Sequence, residues 1–268
     1  MSEADRIKAE AEARAGRSRL DGEVAVVTGG GRGIGQGTAE TLAVAGAHVV
    51  VTDLDGASAE AVAAGIVQAG FQAEGHAMDV TDEASVVALF EDVWQRRDRI
   101  DVLINNAGIS RRHATEESPL DDWNAVVAVN LTGVFLCARE AGRRMLERGS
   151  GRIVNLASKW GFVGGPMYGN LSYHATKGGV VNLTRALATE WAGRGVRVNA
   201  VAPTFVRTPM TQHLFEDPET YRQMQETIPL GRPAEVEDMM GAMLYLATEA
   251  SAMVTGDIIL VEGGWLSR

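Results

Sequence analysis

Short apolar runs alternate with longer amphipathic stretches along most of the chain. The apolar runs, each bounded by turn residues, predict strands at Glu23–Thr28, His48–Thr52, Gln72–Met78, Asp101–Ile104, Arg152–Ala157, Arg197–Val201 and Asp257–Val261. The amphipathic stretches predict helices near 34–46, 57–69, 82–97, 121–147, 173–193 and 234–247. This alternation is typical of βαβ units. We therefore predict an α/β fold, a doubly wound seven-stranded parallel sheet flanked by helices on both faces.

Two segments depart from this rhythm. Residues 1–20 are rich in Ala, Glu and Arg, with hardly any large apolar side chain. Such a composition favours helix but gives it nothing to bury, so we predict a charged extension, frayed or packed on a partner. Residues 204–232 hold three prolines among mixed helical fragments, which indicates an excursion over the sheet edge and a candidate substrate lid. Residues 21–268 then form a single domain, the size that this length favours.

Composition narrows the classes of protein. A formal net charge of -10, with Lys and Arg spread along the chain, argues against nucleic-acid binding, which needs a clustered basic face. No run of about 18 uninterrupted apolar residues is present, which argues against a membrane-spanning helix. The single Cys137 has no partner for an internal disulfide, and the chain start lacks the apolar core of a signal peptide. A reducing cytoplasm is the expected location.

A glycine-rich turn, Thr28-Gly-Gly-Gly-Arg-Gly-Ile-Gly35, leads from the first predicted strand into the first predicted helix. Amide groups and the helix dipole favour pyrophosphate there, as in Rossmann-type folds. A phosphate-loop reading fails, because no Gly-Lys-Ser/Thr follows. Asp53 stands eighteen residues beyond Gly35, near the spacing at which a carboxylate meets the adenosine ribose.

The Asp53 carboxylate favours NAD over NADP, because it repels a 2′-phosphate. Arg32, inside the glycine turn, partly offsets that repulsion. The competing interpretation of Asp53 is a helix cap in a loop.

Three further residues suggest proton transfer. Tyr173 and Lys177 are four residues apart in a predicted helix, so their side chains share one face. The ammonium is expected to lower the pKa of the phenol and make it a usable general base. Ser158 follows a predicted strand, at the edge where α/β sheets bind ligands, and can donate a hydrogen bond to a substrate oxygen. A nucleophilic serine is disfavoured, because Gly-x-Ser-x-Gly is absent.

With these residues in place, the chain resembles a short-chain dehydrogenase/reductase of the roughly 250-residue NAD(P)-dependent type, from about Leu20 to Trp265. Besides the glycine turn, the shared motifs are Asp79-Val80, Asn105-Asn-Ala-Gly108, Asn130, Ser158, Tyr173-His-Ala-Thr-Lys177 and Asn199-Ala-Val-Ala-Pro-Thr204. The resemblance covers nearly the whole chain. It implies a homotetramer, built partly from the helices near 121–147 and 173–193 and the last strand.

The resemblance also implies the members of the site. The catalytic group is Asn130, Ser158, Tyr173 and Lys177, with the Asn130 side chain holding a water of a proton relay. A buried asparagine satisfied by backbone is the alternative. The cofactor-binding group is Gly29, Arg32, Gly33, Ile34, Gly35, Asp53, Leu54, Asp79, Val80, Asn106, Ala107, Gly108, Tyr173, Lys177, Pro203, Thr204, Val206 and Thr208.

The chain departs from the family pattern in two places. Ser158 precedes Tyr173 by fifteen residues, where the family most often has about thirteen, so a substrate-facing loop is longer and must bulge outward. Three glycines make that loop pliable, and three residues are expected to line a pocket, namely Trp160, Met167 and Tyr168. Thr204 replaces the usual glycine after the proline.

The leading hypothesis is reversible NAD-dependent oxidation of a secondary alcohol to a ketone. Polar residues expected in the pocket favour a polyol or sugar-derived alcohol; they are Arg111, Arg112, Lys159 and Asn170. One alternative is an NADPH-dependent reductase, for example of 3-oxoacyl thioesters. Another, from a different class, is a non-catalytic NAD-binding regulatory protein. The histidines show no zinc-ligand spacing, so no metal is implied.

Overall fold

The computed structural model describes residues 2–165 and 169–267. Its strands form one parallel sheet in the order β3-β2-β1-β4-β5-β6-β7. They are β1 (Val24–Thr28), β2 (His48–Asp53), β3 (Gln72–Ala77), β4 (Val102–Asn105), β5 (Gly151–Leu156), β6 (Val196–Pro203) and β7 (Ile258–Val261). The predicted seven-stranded parallel sheet is confirmed, with every strand boundary within two residues of its prediction.

Ten α-helices occur in the described chain. They are α1 (Glu3–Gly16), α2 (Gly33–Val44), α3 (Gly56–Gln68), α4 (Glu83–Arg97), α5 (Leu120–Val127), α6 (Gly133–Arg148), α7 (Leu171–Trp191), α8 (Gln212–Glu216), α9 (Pro218–Thr227) and α10 (Glu237–Ala247). The helix predicted over 121–147 is divided by a π-helical turn, Ala128–Thr132. Helix α10 begins three residues later than predicted.

The inner strands of the sheet, such as β1, are buried on both faces because their side chains alternate between two cores, whereas the edge strand β3 is partly exposed. In β1, Ala25 and Val27 pack with α2, α3 and α10 on one face. Val24 and Val26 pack with α4, α6 and α7 on the other. Strands covered on both sides must be apolar at nearly every position, which is why the sequence showed continuous apolar runs.

The segment Leu120–Arg148, which joins α5, the π-turn and α6, is 29 residues long and contains an 18-residue window with a mean hydropathy of 1.3. By length and composition it is able to cross a membrane. However, 56% of its apolar window is buried inside the protein, and α6 packs on α4 and the sheet. It is therefore placed as a core helix.

The first helix contrasts with this core. Ser2 caps α1, and the helix buries none of its residues. Directly after α1, the Arg17 guanidinium donates to the Glu249 carbonyl, and Leu20 is fully buried.

The order of the strands reverses at β1, which lies between β2 and β4. Connections on the two sides of this switch point leave in opposite directions, which opens a crevice at the carboxyl ends of the strands. Thr28 and Asn105 end the two central strands side by side, so the glycine turn and the Asn106–Gly108 segment meet in this crevice.

Candidate active site

The glycine turn after β1 is shaped by close backbone contacts. Gly29 and Gly33 have φ of 62° and 57°, a conformation that glycine adopts at no steric cost. A Cβ on Gly35 would lie 2.2 Å from the Gly29 carbonyl oxygen and 2.4 Å from Asn106 Nδ2. No side chain caps the start of α2, so its first amide groups remain available to an anion. The turn therefore fits a dinucleotide pyrophosphate.

Asn106 ties the glycine turn to the end of β4. Its Nδ2 donates to the carbonyl oxygens of Thr28 and Gly29 at 3.0 and 2.8 Å. The Thr28 hydroxyl in turn accepts from the backbone amides of Asn106 and Ala107, both at 3.1 Å. These bonds hold the two segments as one rigid edge.

Asp53 ends β2 and faces the glycine turn. Its carboxylate accepts from the Gly31 amide at 3.0 Å and from the Asp55 amide at 3.1 Å. The cap of α3 is Asp55, whose side chain accepts from the Ser58 amide. The helix-cap interpretation of Asp53 is therefore wrong, and the carboxylate lies where a ribose is expected.

A cavity of about 470 Å³ lies over the carboxyl ends of the strands. All residues of the predicted catalytic and cofactor-binding groups line it except Gly35 and Asn130. The excursion after β6 covers one side, and Thr208 reaches the glycine turn, 3.3 Å from where a Cβ of Gly33 would lie. The cavity thus runs from the Asp53 side to the polar group at Ser158.

Ser158 and Tyr173 meet despite the lengthened loop between them. Ser158 follows β5, and Tyr173 lies in the first turn of α7. The Ser158 hydroxyl lies within hydrogen-bonding reach of the phenol, an interaction that lowers the pKa of Tyr173. It also accepts from the Trp160 amide at 3.2 Å. Both side chains line the cavity, so they are placed to share one substrate oxygen.

The predicted direction of the Tyr173 pKa is wrong. Burial raises the pKa of the phenol to about 12, and the Ser158 hydrogen bond only partly offsets this. Burial lowers the pKa of Lys177 to about 8. The Lys177 Nζ lies 5.5 Å from the centroid of the Tyr173 ring and donates to the Leu156 carbonyl at 2.6 Å. The ammonium shares the helix face as predicted, but desolvation outweighs its attraction for a phenolate.

Asn130 lies in the π-turn and is fully buried. Its Nδ2 donates to the Ile109 carbonyl at 2.9 Å, and the Ile109 amide donates to its Oδ1 at 2.8 Å. These are the contacts of the alternative interpretation, a buried asparagine paired with backbone. They fix the segment that follows β4, while the relay role stays a prediction.

The loop after Ser158 differs from expectation. Lys159 is fully buried and donates to the Thr204 hydroxyl at 3.1 Å, with its Nζ 3.1 Å from the centroid of the Trp265 ring. Trp160 packs in the same aromatic cluster with Phe205. Neither Lys159 nor Trp160 lines the cavity, so the predicted pocket roles of both are wrong. Met167 and Tyr168 lie outside the described residues.

Of the other polar residues predicted for the pocket, Arg111 lines the cavity, whereas Arg112 and Asn170 do not, so the predicted pocket roles of those two are wrong. Arg111 lines the cavity, with its Nε 3.4 Å from an Asp122 oxygen. The Arg112 Nη1 lies 2.6 Å from Nε2 of His213, at hydrogen-bond distance. Asp122 also contacts Nε2 of His113 at 2.6 Å.

Sequence reasoning missed several cavity residues, namely Met78, Ile109, Ser110, Val129, Leu156, Pro209, Met210 and Thr211. Most of them adjoin a predicted site residue at the end of a strand or in the excursion. Since every loop at the carboxyl edge faces the crevice, the residues directly after each strand were the available signal.

Comparisons with known proteins agree with this geometry. A family model described as Enoyl-(Acyl carrier protein) reductase matches residues 29–266. A 3-oxoacyl-acyl-carrier-protein reductase from Aquifex aeolicus is 42% identical over 247 residues, 92% of this chain and 98% of that protein. A D-threitol dehydrogenase from Mycolicibacterium smegmatis is 41% identical over 247 residues, 92% of this chain and 94% of that protein.

Solved structures share the fold over nearly the full length. A gluconate 5-dehydrogenase from Burkholderia cenocepacia, in complex with NADP and tartrate, has a TM-score of 0.91 at 38% identity, covering 94% of this chain and 98% of its own. A Beutenbergia cavernae protein is described as an NAD(P) dependent gluconate 5-dehydrogenase with NADP at low occupancy. It has a TM-score of 0.90 at 43% identity, and the match covers 94% of this chain and 100% of that protein. The chain therefore belongs to the short-chain dehydrogenase/reductase family of NAD(P)-dependent oxidoreductases.

Proposed function

We propose that this protein oxidises a secondary alcohol, of the polyol or sugar-derived class, to a ketone. The observation that carries the proposal is that Ser158, Tyr173 and Lys177 line one cavity, with the Lys177 Nζ 5.5 Å from the centroid of the Tyr173 ring. Relatives include a D-threitol dehydrogenase and a gluconate 5-dehydrogenase, both named for polyhydroxylated substrates.

In the proposed mechanism, Tyr173 reacts as the phenolate, its minor form at neutral pH, and the phenolate oxygen accepts the hydroxyl proton of the substrate to become a neutral phenol. Ser158 donates a hydrogen bond to the same substrate oxygen and stabilises the charge that develops on it. Lys177 is mostly protonated at neutral pH, because its pKa is about 8, and its charge favours the phenolate as the proton leaves. When bound, the nicotinamide cofactor supplies the hydride acceptor.

The proposed cofactor contacts follow the cavity. The glycine turn and the first amides of α2 would hold the pyrophosphate, Asp79 and Val80 the adenine, and Lys177 the nicotinamide ribose. The proposal includes the catalytic and cofactor-binding roles that the sequence predicted for these residues.

We propose NAD as the preferred cofactor. Asp53 supports this choice, because two backbone amides hold its carboxylate in place, where it would oppose a 2′-phosphate. The solved relatives with bound NADP support the opposite choice, and Arg32 lines the cavity beside Asp53. Initial rates with each cofactor on one alcohol decide the preference.

Replacing Tyr173 with Phe tests the function. Turnover on a panel of polyols, sugar acids and simple secondary alcohols should fall by at least about 100-fold, the scale of general acid–base catalysis. Cofactor binding, measured by fluorescence titration, should be unchanged. Undiminished turnover in Tyr173→Phe would remove the phenol from the mechanism.

The second candidate is reduction of 3-oxoacyl thioesters with NADPH, which is favoured by the 42% identity to a 3-oxoacyl-acyl-carrier-protein reductase. The same assay, run in the reducing direction on a 3-oxoacyl thioester, distinguishes alcohol oxidation from thioester reduction. A non-catalytic NAD-binding protein would bind cofactor and turn over neither class.

A homotetramer in the cytoplasm is the proposed setting. Half-exposed apolar side chains on the predicted interface elements support it, among them Phe135 on α6 and Leu260 on β7. Val180 and Val181 of α7 do not contribute to such an interface, because they are buried within their own subunit.

A further inference from the structure

Lys159 is a fully buried cation directly after Ser158. A lysine is seldom placed out of reach of water, because burying a charge without favourable contacts costs a large desolvation free energy. The Lys159 side chain does not line the cavity, so it does not reach a substrate or a cofactor directly. Its contribution must come from what the ammonium holds inside the protein.

Three aromatic rings form a cage around this ammonium. The Lys159 Nζ lies 3.1 Å from the centroid of the Trp265 ring. The centroids of Phe205 and Trp160 are 3.9 and 4.6 Å away, and all three rings are within the roughly 6 Å at which a ring face attracts a cation. The rings also meet one another edge to face, with centroids 5.7–6.0 Å apart. The cage therefore confines the ammonium to one position.

The caged ammonium donates to the Thr204 hydroxyl at 3.1 Å, and we call this hydrogen bond the Lys159–Thr204 link. Thr204 follows Pro203 at the end of β6 and lines the cavity. Its own amide donates to the Val261 carbonyl at the end of β7. Thr204 stands where the family pattern has glycine, which has no hydroxyl to accept such a bond. The link thus depends on a residue in which this chain departs from that pattern.

The turn that begins at Ser158 is held on its other side by α7. A Cβ on Gly161 would lie 2.7 Å from the Lys177 carbonyl oxygen, so the turn packs directly on the helix backbone. Within the turn, the Ser158 hydroxyl oxygen accepts from the Trp160 amide, which leaves the hydroxyl proton available to another acceptor. The position of the turn therefore sets the direction of the Ser158 hydroxyl.

These contacts place Lys159 between the two sides of the site. Ser158 belongs to the side that is proposed to hold the substrate oxygen, whereas Thr204 belongs to the cofactor-binding group. Transfer of a group between two reactants requires the reacting atoms to approach to about 3–3.5 Å. A rigid connection between the two sides fixes their separation before either ligand binds.

We propose that Lys159 is a positioning residue for hydride transfer, in which the Lys159–Thr204 link holds the Ser158 turn at a fixed distance from the cofactor side of the cavity. The inference rests on the proposed role of Ser158 in alcohol oxidation. Lys159 acts through the Thr204 hydroxyl and not on the reacting atoms. A misplacement of about 1 Å can cost about 100-fold in rate, so breaking the link slows the chemical step more than it weakens binding.

The test measures hydride transfer in a single turnover by stopped-flow absorbance of the reduced nicotinamide, with limiting cofactor and a saturating alcohol from the panel above. Lys159→Met keeps the length of the side chain and removes its charge, and the rate should fall by about 10- to 100-fold. The cofactor Kd and the number of binding sites, both from fluorescence titration, should be unchanged. A partly unfolded variant would lose binding sites but not rate.

Variants at the other end of the link separate positioning from folding. Thr204→Val removes the acceptor hydroxyl and should slow the same step, and Thr204→Ser should recover most of that loss. The double variant Lys159→Met/Thr204→Val should be about as slow as Lys159→Met alone, because either change already breaks the link. Lys8→Met on α1 and Thr189→Val on the exposed side of α7 are the matched controls and should behave as wild type.

Each contrary outcome is distinct. If the loss in the double variant equals the product of the two single losses, the residues act independently and the proposal is wrong. Fewer binding sites with an unchanged rate in Lys159→Met would show that the lysine only supports the fold. If Lys159→Met does not fold, Thr204→Val decides, because a wild-type rate in it overturns the proposal and a loss that Thr204→Ser recovers supports it.

Failure of the proposed function has a different signature. Undiminished turnover in Tyr173→Phe overturns the proposed mechanism, whatever the Lys159 variants show. Loss of turnover in Tyr173→Phe, together with wild-type rates in Lys159→Met and Thr204→Val, overturns only the positioning role. If the wild type turns over neither an alcohol nor a 3-oxoacyl thioester while it still binds cofactor, both proposals are wrong.

Discussion

At the scale of single residues, burial decides the protonation state of the site. The Tyr173 phenol, with a pKa of about 12, is almost entirely protonated at neutral pH. Lys177 has the opposite shift for the same reason, since a low-dielectric environment disfavours the charged form of either group. The pair therefore holds a phenol and an ammonium together, which suits proton donation in the reducing direction.

The first prediction concerns the pH dependence of the two directions. Oxidation needs the deprotonated phenol, and below the pKa that fraction rises tenfold with each pH unit, so kcat/KM for oxidation should climb from about pH 5.5 to 7.5, a range in which Lys177, with a pKa of about 8, stays mostly charged. Reduction uses the protonated phenol and should stay nearly constant over the same range. Both are measured at saturating cofactor. A flat oxidation profile would contradict the raised pKa of Tyr173.

The second prediction concerns Asn130. Asn130→Ala leaves the Ile109 amide and carbonyl without their side-chain partners, so the free energy of unfolding should fall by about 2–4 kcal/mol. Chemical denaturation measures it, with Asn182→Ala as the exposed control. An unchanged stability with a large loss of kcat would instead favour the relay role.

At the scale of elements, the glycine turn and the π-turn are the two irregular segments that shape the site. The glycine turn brings β1, α2 and Asn106 to distances that a Cβ would prevent. The π-turn places Asn130 against the backbone of Ile109. Such irregular turns are common near functional sites.

The third prediction compares two glycines in helices. Gly35→Ala places a methyl group against the Gly29 carbonyl, so it should open the turn and weaken NAD binding by at least about tenfold, or 1.4 kcal/mol. Gly65→Ala in α3 meets no atom within 4 Å and should stabilise the protein by about 0.5–1 kcal/mol. Fluorescence titration and thermal unfolding measure the two effects. Wild-type NAD affinity in Gly35→Ala would contradict the steric argument.

At the scale of the whole molecule, the sheet and its two helical layers form the core, whereas α1 lies outside it. Removing residues 2–16 should leave turnover unchanged and the melting temperature within about 1 °C, because α1 buries no residue of its own. Sedimentation of the full and shortened chains is the second readout. Loss of a tetramer on truncation would show that α1 packs on a neighbouring subunit.

The fold was predictable because its signals are local. Buried parallel strands must be apolar throughout, so their positions appear directly in the sequence. The division of the long helix at Ala128–Thr132 carried no comparable signal, since the segment contains neither proline nor glycine before Gly133. Its buried polar contact with Ile109 involves a partner 21 residues away.

The sequence by itself determined the topology, the glycine turn, the position of Asp53 and the order of Ser158, Tyr173 and Lys177, because periodicity and spacing are properties of neighbouring residues. Tertiary structure decided the remainder. It placed the Lys159 side chain in an aromatic cluster and raised the pKa of Tyr173 by burial. It also joined Ser110 to Asn170 by a hydrogen bond across 60 residues. Desolvation and pairing between distant loops depend on how the whole chain packs, which no local pattern encodes.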